Sequence, residues 1–119
     1  MERVVTSIKL YKNLIVPIQI ELDDTTVEKM QHQILEEVEQ NNLKSIILDI
    51  SMVDILDSYI SYSLTETAKM AKLLGCDTYI CGMQPMVSLT LAQMGVNIRE
   101  ITFVKDLEEA LEMTKQLNN

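Results

Sequence analysis

Glycine and histidine are scarce in this chain. Its only glycines are Gly75, Gly82 and Gly95, which are too widely spaced for the glycine-rich loops that hold nucleotide phosphates. The one histidine, His32, falls on the polar side of a predicted helix, and no serine stands in a Gly-x-Ser-x-Gly elbow. One histidine and two cysteines also make no convincing zinc site. We therefore expect no catalytic residue, no metal and no cofactor, and a protein that is not an enzyme.

The two cysteines, Cys76 and Cys81, stand at the ends of a predicted strand. Five residues of strand separate them by roughly 16 Å, which is beyond the reach of a disulfide. The odd spacing also places their side chains on opposite faces, so we predict two buried, reduced thiols. The start of the chain resembles no signal peptide, and no apolar run approaches the length of a membrane span. These features predict a cytoplasmic protein.

Basic residues are few: ten Lys and Arg against eighteen Asp and Glu give a formal net charge of 10 − 18 = −8. Such a chain is repelled by nucleic-acid phosphates and by anionic membranes, so neither is expected as a partner. A partner protein with a basic surface remains open. The length of 119 residues and the hydrophobic fraction of 47% fit one domain over residues 1–119.

The periodicity of apolar residues predicts the element order β-β-α-β-α-β-α-β-α. Strands are predicted within 7–20 (two), 45–50, 77–82 and 99–104, and helices at 24–41, 58–74, 85–95 and after Asp106. Strands that alternate with helices form mostly parallel sheets, and the first two strands would add an antiparallel hairpin. The sequence therefore predicts a single α/β domain with four helices around a central sheet.

Several local signals refine these elements. Lys12-Asn13 is predicted to turn the first hairpin, and Pro17 should sit on an edge strand or at a bulge, because it cannot donate to a ladder. Either Asp24 or Thr25 is predicted to cap the first helix, and Thr25 with Glu28 matches a capping box. Ile18 and Ile20 are predicted to share a buried strand face, Leu74 to belong to the inner stripe of the second helix, and Gly95 to end the third helix.

Polar side chains gather where the two central strands end. Asp49 ends the third strand, and Asp54, Asp57 and Ser58 follow before the next helix. The stretch Met83-Gln84-Pro85 follows the fourth strand. In open α/β sheets functional loops lie at the carboxyl ends of strands, so these two loops are predicted to share one edge of the molecule.

Ser58 is predicted to stand at the N-terminus of the second helix, as its N-cap. A phosphate at this position would meet free backbone amides and the positive end of the helix dipole. It would also add about −1.5 to −2 charges beside Asp54 and Asp57. Such a site accepts phosphate with little internal cost and changes the outer surface strongly, which favours a switch over a catalyst.

A receiver domain phosphorylated on Asp49 is an alternative for an α/β chain of this size. It would use an acidic pair after the first strand and a lysine after the last. Asp23-Asp24 and Lys105 are the candidates here, but the acidic pair follows the hairpin and not the first strand. The β-β start of the chain argues against this alternative.

The stretch "DISMVDILDS" resembles the signature of the STAS domain family, to which anti-sigma-factor antagonists belong. The matching positions are Asp49, Ile50, Ser51, Val53, Leu56, Asp57 and Ser58. "CGMQPMVSLTLAQMGV" resembles the second landmark of the family, and the order of elements matches over roughly residues 8–117. Where ordinary small antagonists read Asp-Ser-Ser-Gly, this chain reads Asp57-Ser58-Tyr59-Ile60, which resembles the RsbS-type scaffold branch of the bacterial stressosome.

This resemblance implies a non-catalytic scaffold that is phosphorylated on Ser58. The implied partners are an RsbT-like serine/threonine kinase, captured until Ser58 is phosphorylated, and RsbR-like paralogues in a large assembly, with a homo-oligomer also expected. The residues expected to contact partners are Asp54, Asp57, Tyr59, Met83, Gln84 and Pro85. No catalytic role follows for Asp49. The alternative within the family is a free anti-sigma-factor antagonist that binds an anti-sigma kinase.

Overall fold

The computed structural model describes residues 3–19, 21–94 and 99–115. Its elements are β1 (Ile8–Leu10), β2 (Asn13–Pro17), α1 (Asp24–Asn41), β3 (Ser45–Asp49), α2 (Ser58–Leu73), β4 (Asp77–Cys81), α3 (Pro85–Met94), β5 (Ile101–Val104) and α4 (Leu107–Lys115). The pair β1–β2 is antiparallel and the other three strand pairs are parallel. The predicted order and the α/β class with an N-terminal hairpin are confirmed.

The strands lie in the sheet in the same order as in the chain, from β1 to β5. Because parallel strands are joined by right-handed crossovers, this order places the connecting helices α1, α2 and α3 on one face of the sheet. α4 follows the last strand and packs on the other face, against β3, β4 and β5. The sheet is therefore covered on both sides, which explains the apolar run of the central strand.

Successive residues of β3 point to opposite faces and enter two separate cores. Ile46 and Leu48 belong to the larger core with α1 and α2, whereas Ile47 belongs to the smaller core with α4. The two cysteines divide in the same way, Cys76 into the larger core and Cys81 into the smaller. Both thiols are free and buried, so the prediction of reduced cysteines on opposite faces is confirmed.

The first hairpin turns one residue earlier than predicted. Tyr11 and Lys12 form the turn, and Tyr11 adopts a left-handed backbone with φ of 56°. Asn13, expected in the turn, is buried in β2 and pairs with Leu10. A two-residue turn matches the twist of a hairpin best when its residues take positive φ, and here Tyr11 does so although it is not a glycine.

Pro17 does not lie on an edge strand, because β2 runs between β1 and β3. It is the last residue of β2, and the antiparallel pairing with β1 ends at Ile15. The next residue, Ile18, donates its N–H to the Asp49 carbonyl of β3 at 2.9 Å. Since N–H groups alternate in direction along a strand, the Pro17 nitrogen faces the β1 side beyond the end of that strand. No ladder bond is lost there.

The cap of α1 also differs from the prediction. Asp23, and not Asp24 or Thr25, is the N-cap, and its carboxylate accepts from the Thr26 N–H at 2.8 Å. The Thr26 hydroxyl accepts in return from the Asp23 N–H at 2.9 Å, which completes a capping box two positions earlier than the predicted Thr25–Glu28 box. The helix ends as predicted, with Asn42 in a left-handed conformation.

Three further expectations need comment. Leu74 is exposed after the end of α2 and is not part of its inner stripe, because the helix has already ended at Leu73. β5 begins at Ile101, two residues later than predicted. Ile20 and Gly95 lie outside the described residues. Within the described ranges, no helix combines the length and the apolar character needed to cross a bilayer.

Gly82, the residue after β4, has φ of +76° and lies against the loop that follows β3. A Cβ atom at this position would stand 2.9 Å from the Ser51 Cβ and 3.0 Å from an Asp49 carboxylate oxygen. Only glycine fits both the left-handed backbone and this close approach. Gly75 has a similar φ of +81°, but a Cβ there would meet no atom within 4 Å.

We expect Gly82→Ala to lower the free energy of unfolding by about 2–4 kcal/mol, since it adds a steric clash to the strain of a left-handed alanine. Gly75→Ala, which carries the backbone strain alone, should cost only about 1 kcal/mol. Urea denaturation of the three proteins measures the difference. Equal losses for the two variants would show that the contact of Gly82 with Ser51 is not tight.

Candidate functional site

The loops after β3 and β4 meet at one edge of the sheet, as predicted. Asp49 ends β3, and its carboxylate accepts from the Ser51 N–H at 3.0 Å. The Gln84 side chain crosses from the other loop and donates to the Ser51 carbonyl at 2.9 Å. The Ile50 N–H donates to the Cys81 carbonyl at 3.0 Å. Side-chain and backbone bonds therefore hold the two loops together.

The β3–α2 loop is anchored by its apolar residues. Ile50, Val53 and Leu56 are buried in the larger core, and the Val53 N–H donates to the Ile50 carbonyl at 3.0 Å. The residues between these anchors, Met52 and Ile55 among them, are exposed. A loop fixed at three points presents its outer side chains in defined places, although it has no regular secondary structure.

Asp57, and not Ser58, is the N-cap of α2. Its carboxylate accepts from the Ile60 N–H at 2.8 Å, and its carbonyl accepts from the Ser61 N–H at 3.0 Å. The prediction that Ser58 caps the helix is therefore wrong by one residue. Asp and Ser are about equally good N-caps, so sequence preference alone did not separate the two positions.

Ser58 is the first residue of α2, and its side chain is exposed. Because Asp57 satisfies the cap, the Ser58 hydroxyl makes no hydrogen bond to any residue within the described ranges. The hydroxyl stands at the positive end of the helix dipole, where negative charge is favoured. It also stands directly beside the Asp57 carboxylate, which repels an incoming anion. An anion at the Ser58 hydroxyl would therefore be attracted by the helix dipole and repelled by the Asp57 carboxylate.

Tyr59 links the start of α2 to α1. Its hydroxyl donates to a Glu28 carboxylate oxygen at 2.8 Å, and this bond raises the pKa of Tyr59 above its ordinary value. Part of the ring stays exposed beside Ser58. Sequence reasoning placed Tyr59 at the site but did not find Glu28, since the pairing depends on how the two helices cross.

The three predicted residues of the second loop have different surroundings. Met83 is half-buried and packs against the larger core, and Gln84 binds the Ser51 carbonyl. Pro85 is exposed and begins α3, as predicted. Only Pro85 therefore presents most of its surface outward, while Met83 and Gln84 mainly fix the loop in place.

An acidic cleft opens beside Ser58, with a volume of about 480 Å³. Three carboxylates line it: Glu21 before α1, and Asp54 and Asp57 from the β3–α2 loop. Glu21 and Asp54 are exposed, and none of the three forms an ion pair with another residue of the described chain. The cleft was not expected from sequence, because Glu21 belongs to a different part of the chain.

The one histidine is exposed, whereas the two cysteines are buried. In the described part of the chain no three His, Cys, Asp or Glu side chains are grouped to hold a metal ion. His32 is exposed on α1 and lines a groove with Tyr59 and Tyr62. Burial raises the pKa of Cys76 to about 12 and that of Cys81 to about 11, so both remain protonated thiols at neutral pH.

The acidic groups proposed for a receiver domain are also engaged elsewhere. Asp23 caps α1 and Asp49 accepts the Ser51 N–H, so each of the two carboxylates already makes a structural hydrogen bond. The chain also begins with an antiparallel β1–β2 hairpin, whereas a receiver domain would begin with a strand followed by a helix.

Comparison with known proteins gives both sequence relatives and structural neighbours. The chain is 29% identical to the RsbT co-antagonist protein RsbRD of Bacillus subtilis over 97 residues. This alignment covers 82% of this chain and 35% of the relative. It therefore spans about a third of the length of the co-antagonist proteins that it matches. These proteins are larger than the segment they share with it.

Among solved structures, RsbS S58E of Moorella thermoacetica superposes with a TM-score of 0.84 at 27% identity, covering 97% of each chain. A chain of a solved structure described as the molecular architecture of the stressosome superposes with a TM-score of 0.80 at 28% identity. The superposition covers 94% of this chain and 97% of the other.

These relatives and neighbours include stressosome-type proteins. The sequence model for the STAS domain matches residues 4–110, which include every strand and the whole loop from β3 to α2. The alternative of a receiver domain is therefore wrong. With the fold, the two joined loops and this match together, the chain belongs to the STAS domain family.

Proposed function

We propose that this chain is a non-catalytic scaffold that sequesters an RsbT-like serine kinase and releases it when Ser58 is phosphorylated. The observation that carries the proposal is the Ser58 hydroxyl, which is exposed and unbonded at the first residue of α2 because Asp57 caps the helix. A kinase can transfer phosphate to such a hydroxyl without breaking any bond of the fold. We take residues 1–119 as one STAS domain acting in the cytoplasm.

The charge around Ser58 supports a switch. A phosphoserine here gains the free amides and the dipole at the start of α2, but it also adds about two negative charges beside Asp57 and Asp54. The domain can therefore hold the phosphate while the surface around it becomes strongly anionic. A partner that fits closely over the unmodified serine would lose that fit.

The names of the relatives support the partners that we propose. RsbRD is named as an RsbT co-antagonist, and one structural neighbour comes from the assembled stressosome. We propose that this chain assembles with RsbR-like STAS paralogues and with further copies of itself, and that the assembly captures the kinase. We place the kinase contact at Asp54, Asp57, Tyr59 and the loop Met83-Gln84-Pro85, with Met83 and Gln84 acting mainly by holding the loop.

We expect Ser58→Ala to abolish phosphate incorporation from ATP in the presence of a purified RsbT-type kinase from the same genome, because the acceptor hydroxyl is gone. Capture of the kinase should remain largely intact, since the Ser58 hydroxyl makes no bond that holds the surface. Radiolabelling and a pull-down measure the two properties.

Ser51→Ala is the matched control, because Ser51 is the other exposed serine of the same loop and should be dispensable for labelling. Full labelling of Ser58→Ala would show that Ser58 is not the phosphoacceptor. A label that is lost in acid or hydroxylamine would instead point to a carboxylate such as Asp49.

Replacing Ser58 by glutamate should weaken kinase capture about tenfold or more, which corresponds to about 1.4 kcal/mol, since a closed interface would have to cover a new carboxylate beside that of Asp57. Ser58→Gln has the same shape without the charge and should bind more tightly than Ser58→Glu. Titration calorimetry of both variants separates charge from size. If the glutamine and glutamate variants bind equally well, charge is not the release signal.

Mixed with an RsbR-like paralogue, the chain should elute as an assembly far larger than its own 13.6 kDa, since a scaffold needs several STAS contacts at once. Size-exclusion chromatography with light scattering gives the mass directly. A chain that stays a monomer or dimer in every such mixture would instead support the free anti-sigma-factor antagonist.

A further inference from the structure

α3 is an apolar helix that the fold leaves mostly uncovered. Its sequence, "PMVSLTLAQM", has no charged residue, yet only Val87 is fully buried. Met86 and Leu89, three residues apart on one helix face, are 66% and 50% exposed. A surface helix normally turns its apolar stripe to the core and charged residues to water. α3 has the apolar stripe on its outer side as well.

The β3–α2 loop adds two more exposed apolar side chains. Met52 is 71% exposed and Ile55 is 81% exposed, because Val53 and Leu56 are the residues that the loop turns inward. This loop is bound to the chain entering α3 through the Gln84–Ser51 hydrogen bond. Met52, Ile55, Met86 and Leu89 therefore belong to two joined segments at the Ser58 edge, and we name these four residues the apolar rim.

The charge next to the apolar rim indicates what kind of protein covers it. Met52 and Ile55 line the same cleft as Glu21, Asp54 and Asp57, whose carboxylates have no cationic partner among the described residues. A second copy of this chain, with a net charge of −8, would bring further carboxylates toward these three. A partner with basic groups opposite the cleft would instead neutralise them.

We propose that the apolar rim is the docking anchor of the serine kinase that phosphorylates Ser58, and that basic side chains of the kinase meet the carboxylates of the cleft. The inference rests on the proposed function. It adds a division of roles: Met52, Ile55, Met86 and Leu89 supply binding energy, the cleft orients the kinase, and Ser58 supplies the acceptor hydroxyl. Methionine suits such an anchor, because its flexible thioether adapts to the partner surface.

This arrangement explains how a single phosphate can end the contact. An interface that closes over the apolar rim also removes water from the neighbouring Ser58. A hydroxyl tolerates that loss far better than a phosphate, which carries about two charges and strong hydration. Asp57 and Asp54 oppose the same phosphate from the side of the scaffold. The chain can therefore stay folded with a phosphate on Ser58 in water, but the kinase cannot stay closed over it.

The test compares exposed apolar residues inside and outside the rim. Leu89→Gln and Ile55→Gln each remove one rim side chain, and the combined variant removes both. Leu73→Gln is the matched control: Leu73 is 88% exposed at the far end of α2, about 22 Å along the helix from Ser58. Affinity for the purified kinase is measured by titration calorimetry, and phosphorylation of Ser58 by steady-state kinetics.

We expect the combined variant to bind the kinase roughly tenfold or more weakly, as loss of buried anchor residues does at interfaces, while Leu73→Gln binds like the unaltered chain. The KM for phosphorylation should rise and kcat should stay the same, since the acceptor hydroxyl is untouched. Thermal unfolding should show all variants folded, because each side chain is exposed.

Three outcomes would overturn the inference, and they differ from one another. If the unaltered chain binds no kinase, the proposed function fails together with the docking anchor. If it binds and the rim variants bind equally tightly, only the anchor is wrong. If the rim variants keep kinase affinity but change the molecular mass in solution, the rim belongs to a contact between STAS domains.

Discussion

The pairing of β3 with β4 is the constraint on which the site depends. Their register runs from Ser45 opposite Asp77 to Asp49 opposite Cys81, so both strands end at the same height. The loops that follow must leave the sheet side by side, and Gln84 then joins them through Ser51. Gly82 is needed at this point because the first loop passes too close to leave room for a side chain. The edge that carries Ser58 is thus fixed by the core beneath it.

The helix cap determines the chemistry of Ser58. Had the serine been the N-cap, its oxygen would have accepted a backbone N–H, and modification would have broken a structural bond. Asp57 takes that role instead, so the serine oxygen is left to react. The same carboxylate then stands next to any phosphate that arrives. In the switch that we propose, Asp57 would keep the helix start intact whether or not Ser58 carries a phosphate, and its carboxylate would oppose the added charge.

Much of this could be predicted from the sequence, for physical reasons. The order of strands and helices and the placing of the two cysteines on opposite faces depend only on periodicity, and both were predicted correctly. The cap of α2 was placed one residue too late and that of α1 one or two residues too late, since Asp, Ser and Thr compete for the same position. The Tyr59–Glu28 bond and the exposed α3 depend on helix packing, which periodicity does not encode.

The burial of the two cysteines has a consequence for how the chain meets oxidants. Peroxides attack the thiolate form, and a thiol whose pKa is about 11 is ionised in roughly one molecule in three thousand at pH 7.5. Cys76, with a pKa of about 12, is rarer still as a thiolate. The two buried thiols therefore resist oxidation at neutral pH, whereas the exposed thioethers of Met52 and Met86 remain open to it.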